Sequence, residues 1–534
     1  MNCKFIALSA ASLLAMSAGA FSQGVFNAGD LLVSTSTYEG TASMIVPGTT
    51  VLPNGATATA DGAFPEVFNN DIADANFGVT SPIIIQQLTQ SGAADPITGA
   101  SPYVSGNDFD VPTSVAVTSF SSKSELGLNL STDGSAITFM GYDTAANAIG
   151  ADGGSPINQL DISNSNTPYD TGNAYSTATY REVVQLNANG TLNDTTTNAY
   201  STNNGRAAIL ANGVYYTVGN GGSLNLTGAE IVTPGVNATP TSAGTTVLGA
   251  FNSDGDSKGK DNNFRAETIS NNVLYVDKGS GSKGIDTVYQ VGAGSPTANN
   301  NVLPTGTSNT ISILPGMPGS SLATSQFVLS NSNAFTPFGI FVTGTTMYVA
   351  DEGLAAPNPG TDVFSGGADS IANQAANDAF AGLTKWTYNG SIWNYDYTLS
   401  LGLNLGQQYA VAGYTLGESG TLDPATVGLR ALAGEVNSNG TVTLFATTAT
   451  LSDLGDVGGD ANKLVSITDT LGDTTASEVT GESFDTLETA SAGEVLRGVS
   501  FAPTTTAVPE PATWGMALGG FAFLIGYNRK WKRS

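Results

Sequence analysis

One unit recurs along this chain and limits its fold more than any other feature. An apolar-alternating strand reaches a turn of residues that tolerate positive φ, and a second strand rich in aromatic and β-branched residues follows. It is seen in "LGLNLSTDGSAITFMGYD" from Leu126, "GRAAILANGVYYTVGN" from Gly205 and "FRAETISNNVLYVDKGSG" from Phe264. It returns in "FGIFVTGTTMYVADEG" from Phe338 and "LRALAGEVNSNGTVTLFATT" from Leu429. The turns are Asp133-Gly134, Asn212-Gly213, Asn271-Asn272, Gly344-Thr345 and Asn439-Gly440. A third strand often follows, starting at Arg181, Ile285, Gly382 and Lys463. A radial array of such three- or four-stranded units is a β-propeller, an all-β fold.

The two ends of the body complete the pattern. "LRGVSFAPT" from Leu496 is a first strand with no second strand after it. "GDLLVSTST" from Gly29 is a second strand with no first before it, and "SPIIIQQLTQSG" from Ser81 supplies its third. A blade shared between the ends closes the ring and leaves no long open edge. This predicts six blades, or seven if a weak one lies in Gly222–Gly249. The competing architecture, two β-sandwich domains, predicts no shared blade.

Composition excludes several chemistries. The only cysteine is Cys3 and histidine is absent. That removes disulfides, thiolate nucleophiles, the usual zinc ligands and the Ser-His-Asp triad from the body. Charged residues are 11% of the chain against 40% hydrophobic, which is a strand-and-turn composition rather than a disordered one.

The two ends point to export. Lys4, the apolar run Phe5 to Met16 and the small residues Ala18-Gly19-Ala20 read as a signal peptide over residues 1–20. At the other end, residues 512–527 carry no charge and are followed by Arg529, Lys530, Lys532 and Arg533. As a helix this run spans roughly 24 Å at ~1.5 Å per residue, enough for a transmembrane segment with snorkelling flanks. The cations place the C-terminus on the cytoplasmic side. A plain tail anchor is the simpler alternative, and a buried core helix a third.

Val508-Pro509-Glu510-Pro511, then a short apolar helix and a basic terminus, resembles the PEP-CTERM sorting signal. The resemblance implies that residues 507–534 are a sorting segment recognised by exosortase, a membrane protease of Gram-negative-type bacteria that make exopolysaccharide. It implies transient anchoring in the inner membrane and release to the cell surface or extracellular matrix. Pro509 and Pro511 keep that stretch out of a helix and accessible to a protease. The body, residues 21–506, also resembles uncharacterised secreted bacterial proteins with propeller-like repeats, through "SELGLNLSTDGSAITFMGYD", "GLTKWTYNGSIW" and "LRGVSFAPT". That likeness brings no catalytic residues.

The chain has 44 acidic and 17 basic residues. Lys4, the four tail cations and Glu510 lie in the end segments, so the body keeps 43 acidic and 12 basic side chains, a charge of about −31. This argues against nucleic acid as a partner. Four of those twelve cations, Arg206, Arg265, Arg430 and Arg497, stand at the start of first strands, which line the channel of a propeller. Two readings are open. They form a ring that holds anionic groups such as uronate carboxylates, or each ties one blade to the next.

"NSDGDSKGKDNN" places oxygen ligands at Asn252, Asp254 and Asp256. This is either a calcium loop or a polar turn, and Ser257 stands where such a loop expects glycine. Asp351 and Glu352 are adjacent, so on a strand they face opposite ways and do not act as a pair. Trp386 and Tyr388 share one face of a hairpin by alternation, and Trp393, Tyr395 and Tyr397 another. Such rows either stack on sugars or pack blades. The expected function is a non-enzymatic surface or matrix protein, a scaffold or binding module for exopolysaccharide. The alternative is a secreted carbohydrate-active enzyme, a glycosidase or lyase using carboxylates, Tyr or Arg.

Overall fold

In a computed structural model, the described residues are 24–505 without 145, 147–160, 173–177, 222–226, 252–262, 280–284, 321, 323–333, 354–370, 413, 415–422 and 453–456. They form six blades around a central channel, antiparallel except where Ala250–Phe251 pairs parallel with Thr310–Ile313 at the outer edge of blade 4. The innermost strands are Glu494–Phe501 in blade 1, Asn129–Leu130 in blade 2 and Gly205–Ala211 in blade 3. Those of blades 4, 5 and 6 are Glu267–Ser270, Pro337–Thr343 and Ala425–Val436. From each, the chain meanders outward through successive hairpins.

The turns form where the side chains permit them. Asn212, Asn271 and Asn272 adopt positive φ, as do Gly134, Gly344 and Gly440. The shared blade is also present. Glu494–Phe501 pairs antiparallel with Leu31–Thr37, matching Leu31 to Phe501 and Val33 to Val499. Leu31–Thr37 then pairs with Ile83–Leu88 on its other edge. No seventh blade arises from the 222–249 stretch: Ala229–Val232 and Thr246–Val247 are the outer strands of blade 3. The weak sequence pattern there reflects two short strands that share the blade-3 core.

Apolar cores fill the six interfaces between neighbouring blades. Leu32, Ile85 and Phe139 pack between blades 1 and 2, and Tyr216, Val218 and Val276 between blades 3 and 4. The closing interface, between blades 6 and 1, is built from Leu31, Val33, Phe445, Leu464 and Val499. An insertion in blade 1, residues 38–79, carries its own aromatic cluster. Phe68 stacks on Phe120 at 5.4 Å, with Tyr38, Phe64 and Tyr414 around them. This cap packs on Val495 at the start of the closing strand.

The alternation expected for one aromatic row is interrupted. Lys385 pairs with Tyr397 and Trp386 with Tyr395, so Asp396 is a one-residue bulge. The extra residue flips Tyr397 to the other face. Trp386, Trp393 and Tyr395 pack toward blade 4, whereas Tyr397 packs toward blade 6. There Tyr397 and Tyr348 both donate to Asp469, which is ion-paired with Lys385 at 2.8 Å. Both tryptophans are buried, so blade packing, not stacking on sugars, is their role.

The six inner strands approach one another closely, and glycine allows it. A Cβ on Gly498 would lie 2.3 Å from Leu128 N and 2.4 Å from Leu126 O of blade 2. Gly498→Ala is therefore expected to cost about 1–3 kcal/mol in a urea melt. Gly472→Ala, where a Cβ meets open space, is expected to stay within about 0.5 kcal/mol of wild type.

Candidate functional site at the channel mouth

Four inner strands carry a bulge, at the second residue in blades 3 and 5 and midway along the strand in blades 6 and 1. Pairing skips Arg206 in blade 3 and Phe338 in blade 5. It also skips Arg430 with Ala431 in blade 6, and Arg497 with Gly498 in blade 1. A bulge re-aims the side chain it carries. Here it repeats at one register position and turns the residue toward the mouth of the channel. In blade 4 the matching cation, Arg265, precedes its strand by two residues.

All four arginines are buried, but they do different work. Arg206 donates to Phe264 O and Asn263 Oδ1 of the next blade. Arg497 donates to Phe120 O, beside the cap, and to Gly458 O of blade 6 at 3.0 Å. These two are ties between elements. Arg265 and Arg430 instead converge on the Phe338 ring, at 5.2 and 5.8 Å, and Lys123 joins them at 5.9 Å. Each such contact contributes roughly 0.5–2 kcal/mol, more as water is excluded.

One carboxylate faces these three cations. Glu352 accepts from Lys123 Nζ at 2.8 and 2.9 Å and from Arg430 Nε at 3.1 Å. Burial pushes its carboxyl up, but Lys123 and Arg430 outweigh burial and hold it at about 2. Lys123 is pushed down by burial and by the nearby Arg430 and Arg265, against the pull of Glu352. Arg265 is likewise pushed down by burial. It donates to Ser124 Oγ at 2.7 Å, while its Nε has no partner among the described residues. The mouth therefore holds a surplus of positive charge in a body of about −31.

Other acids stand around the channel: Glu125 and Glu267 line the mouth, and Asp277 and Asp286 attract Arg265. Glu267 lines the mouth with both oxygens unpartnered, and burial raises its carboxyl well above the usual range. Burial takes Asp277 up to about 7 despite Arg265 and Arg206. Asp351 turns away from Glu352: its carboxylate accepts from Thr336 N, Thr336 Oγ1 and Gly353 N at 2.8–2.9 Å. The two adjacent acids thus have separate surroundings.

A cavity of about 50 Å³ lies among Lys123, Arg265, Phe338 and Arg430. Below it, a second cavity of about 250 Å³ runs along the channel, bounded by all six inner strands through Asn129, Ile209, Ile269, Ile340, Leu432 and Val499. Leu128, Asn129, Ile340, Leu432 and Val499 belong to both walls.

Lys123 and Phe338 were not singled out by sequence reasoning as site residues. Phe338 could have been: aligning "GRAAIL", "LRALAG" and "LRGVSF" with "PFGIFV" puts a ring where the others have arginine. Lys123 sits in a loop and carries no such signal. Asn252, Asp254 and Asp256 lie outside the described residues, as do the signal peptide, Val508 to Pro511, the 512–527 run and Arg529, Lys530, Lys532 and Arg533. Among the described residues, no group of acidic side chains is placed to hold a metal ion, and no helix is long and apolar enough to cross a membrane. No protein-family model matches the chain, and no curated protein matches it.

Two predictions follow from the charges. Glu352→Gln leaves three buried cations without their counter-charge and is expected to cost about 3–5 kcal/mol, read by urea unfolding. The second concerns pH. Burial raises Glu182 to about 9, Glu230 to about 8 and Asp277 to about 7, all above ordinary unfolded values near ~4. Raised carboxyls contribute stability that is fully present below that value and lost as pH rises through about 7–9. Glu352 has the opposite sign, and its contribution is lost as pH falls from ~4 toward about 2. The melting temperature is expected to fall steadily from pH 5 to pH 9; a flat or rising profile in differential scanning calorimetry contradicts this.

Proposed function

We propose that the chain is an exported propeller sorted through its C-terminal segment by an exosortase-type protease. At the cell surface or in the matrix it acts without catalysis, binding acidic exopolysaccharide at the channel mouth. The observation that carries the binding part is the convergence of Lys123, Arg265 and Arg430 on Phe338 against the single carboxylate of Glu352. Guanidinium groups recognise carboxylates through paired N–H donors, and an aromatic floor holds them in place. The body as a whole is strongly acidic and repels polyanions, so the cations gathered at the mouth stand out against it.

Binding is favoured over carbohydrate chemistry by the state of Glu352. Glu352, held at about 2 between Lys123 and Arg430, is engaged as their counter-charge, and glycoside hydrolysis needs a free carboxylate beside the raised acid that Glu267 supplies. The export part rests on the terminal motifs alone.

Deleting Val508–Ser534 tests the sorting reading in the native host. Wild type is expected to lose mass near Pro511 and appear outside the cell, while the deletion variant skips that processing. An intact tail in the membrane fraction contradicts it. For binding, the released protein is expected to retain a polyuronate on a column at low salt and to release it near 0.5 M NaCl, as screening shortens the Debye length to several Å. Lys123→Gln is expected to weaken retention at least fivefold; retention equal to wild type removes the mouth as the site.

A further inference from the structure

The channel beneath the mouth differs from it in character. Its 250 Å³ cavity is walled by Leu130, Ile209, Ile269, Ile340, Phe341 and Val499, with scattered hydroxyls and Asn129, and no charged side chain lines it. A polymer held by charge at the mouth makes no use of such a space. Apolar cavities of ~150 Å³ already admit a benzene-sized guest, so this one exceeds what a small organic body needs.

The two cavities share a wall and lie along one axis. The strands fix this order: Arg430 stands two residues before Leu432 and Arg497 two before Val499, cation first and channel wall second. Head and body of a ligand would therefore meet different chemistry in sequence. The head meets Lys123, Arg265 and Arg430. Arg265 is 9% exposed and lines the mouth, and its buried Nε has no partner among the described residues. That is a desolvated donor, costly unless something accepts from it. The body meets aliphatic side chains from six blades.

We propose that the channel binds a small amphipathic monocarboxylate, with its carboxylate on Arg265, Lys123 and Arg430 and its apolar body in the channel. The proposal rests on reading the mouth as an anion site, and adds a ligand class that the mouth alone does not specify. Glu267 takes part in the wall, 3% exposed and with neither oxygen partnered among the described residues. The ligand is an acyl or aryl carboxylate rather than a phosphodiester lipid, because the mouth cavity of about 50 Å³ has room for a head of a few atoms and the channel for one chain.

The test is isothermal titration of the chain purified from its host with acetate, hexanoate, octanoate, octanol and a polyuronate. Each buried methylene contributes ~0.8 kcal/mol, or roughly fourfold, so octanoate, with two more, is expected to bind about fifteenfold tighter than hexanoate. Octanol, lacking the charge, is expected to bind at least tenfold more weakly than octanoate. Arg265→Gln is expected to lower octanoate affinity at least tenfold. Ile269→Phe, which fills the channel at a residue that lines it alone, is expected to abolish the chain-length dependence while leaving acetate unchanged. Both variants are checked by thermal melting, and Lys123→Gln, at a half-exposed position, replaces Arg265→Gln if the latter does not fold. If acetate, hexanoate and octanoate bind alike, the channel is unused and the proposal falls, while the anion reading of the mouth stands. If octanoate binds equally to wild type and to the folded cation variant, its head is elsewhere and the proposal falls. If neither the carboxylates nor the polyuronate bind, both readings fall together.

Discussion

Everything in this molecule depends on one antiparallel pairing between segments more than 450 residues apart, Leu31–Thr37 and Glu494–Phe501. Blades that touch only their neighbours are stable in proportion to the number of interfaces, and an open arc has one fewer than a closed ring. The closing pair supplies the sixth. It brings Leu31 and Val33 onto Leu496 and Val499 and joins them to Phe445 and Leu464 of blade 6. The loop-closure cost of such a distant contact grows only with the logarithm of the separation, whereas burial grows with area. Ring closure is therefore favourable once the six blades have formed.

Closure also sets the geometry of the mouth. Six inner strands can meet around an axis only if backbones come close, and this is met by glycine at the contacts. Gly339 faces Arg430 O, Gly428 faces the Asp351 and Glu352 carbonyls, and Gly498 faces Leu126 O. Each stands next to, or within two residues of, the bulge that aims a cation or Phe338 into the channel. The tight packing and the cation cluster come from the same few residues. Charges buried by that packing cannot be relieved by solvent, so each must find a partner or be shifted. Arg206 and Arg497 find backbone carbonyls. Lys123 and Arg430 share Glu352, and Arg265 leans on Phe338 and Ser124.

Much of the fold could be read from the chain because hairpins are local. Asn-Gly and Asp-Gly turns between alternating strands specify their own pairing, and five such units were visible at once. The closing blade was also legible, because a first strand without a second and a second without a first have one simple resolution. What could not be read is what depends on single extra residues. The Asp396 bulge flips Tyr397 away from Tyr395 and into the Lys385–Asp469 network. No periodicity argument detects one inserted residue whose neighbours are all aromatic. The cap over blade 1 was invisible for a different reason: its elements are helical turns of three or four residues, and its cluster of Phe64, Phe68 and Phe120 is assembled from distant loops.

The site was half legible for the same reasons. Scarcity made the arginines conspicuous: in a body with twelve cations, four at one register position could not be ignored. Their partition into two ties and two site residues could not be read, because it depends on what each guanidinium meets across a blade interface. Phe338 decides that partition. In blade 5 the repeat places a ring where four other blades place a cation. A fifth arginine there would have raised the repulsion among Arg265, Arg430 and Lys123 without adding a counter-charge. A ring instead offers its negative face to all three cations at 5.2–5.9 Å. The substitution turns a ring of repelling charges into a half-ring of cations held around an aromatic floor, open toward the channel below it.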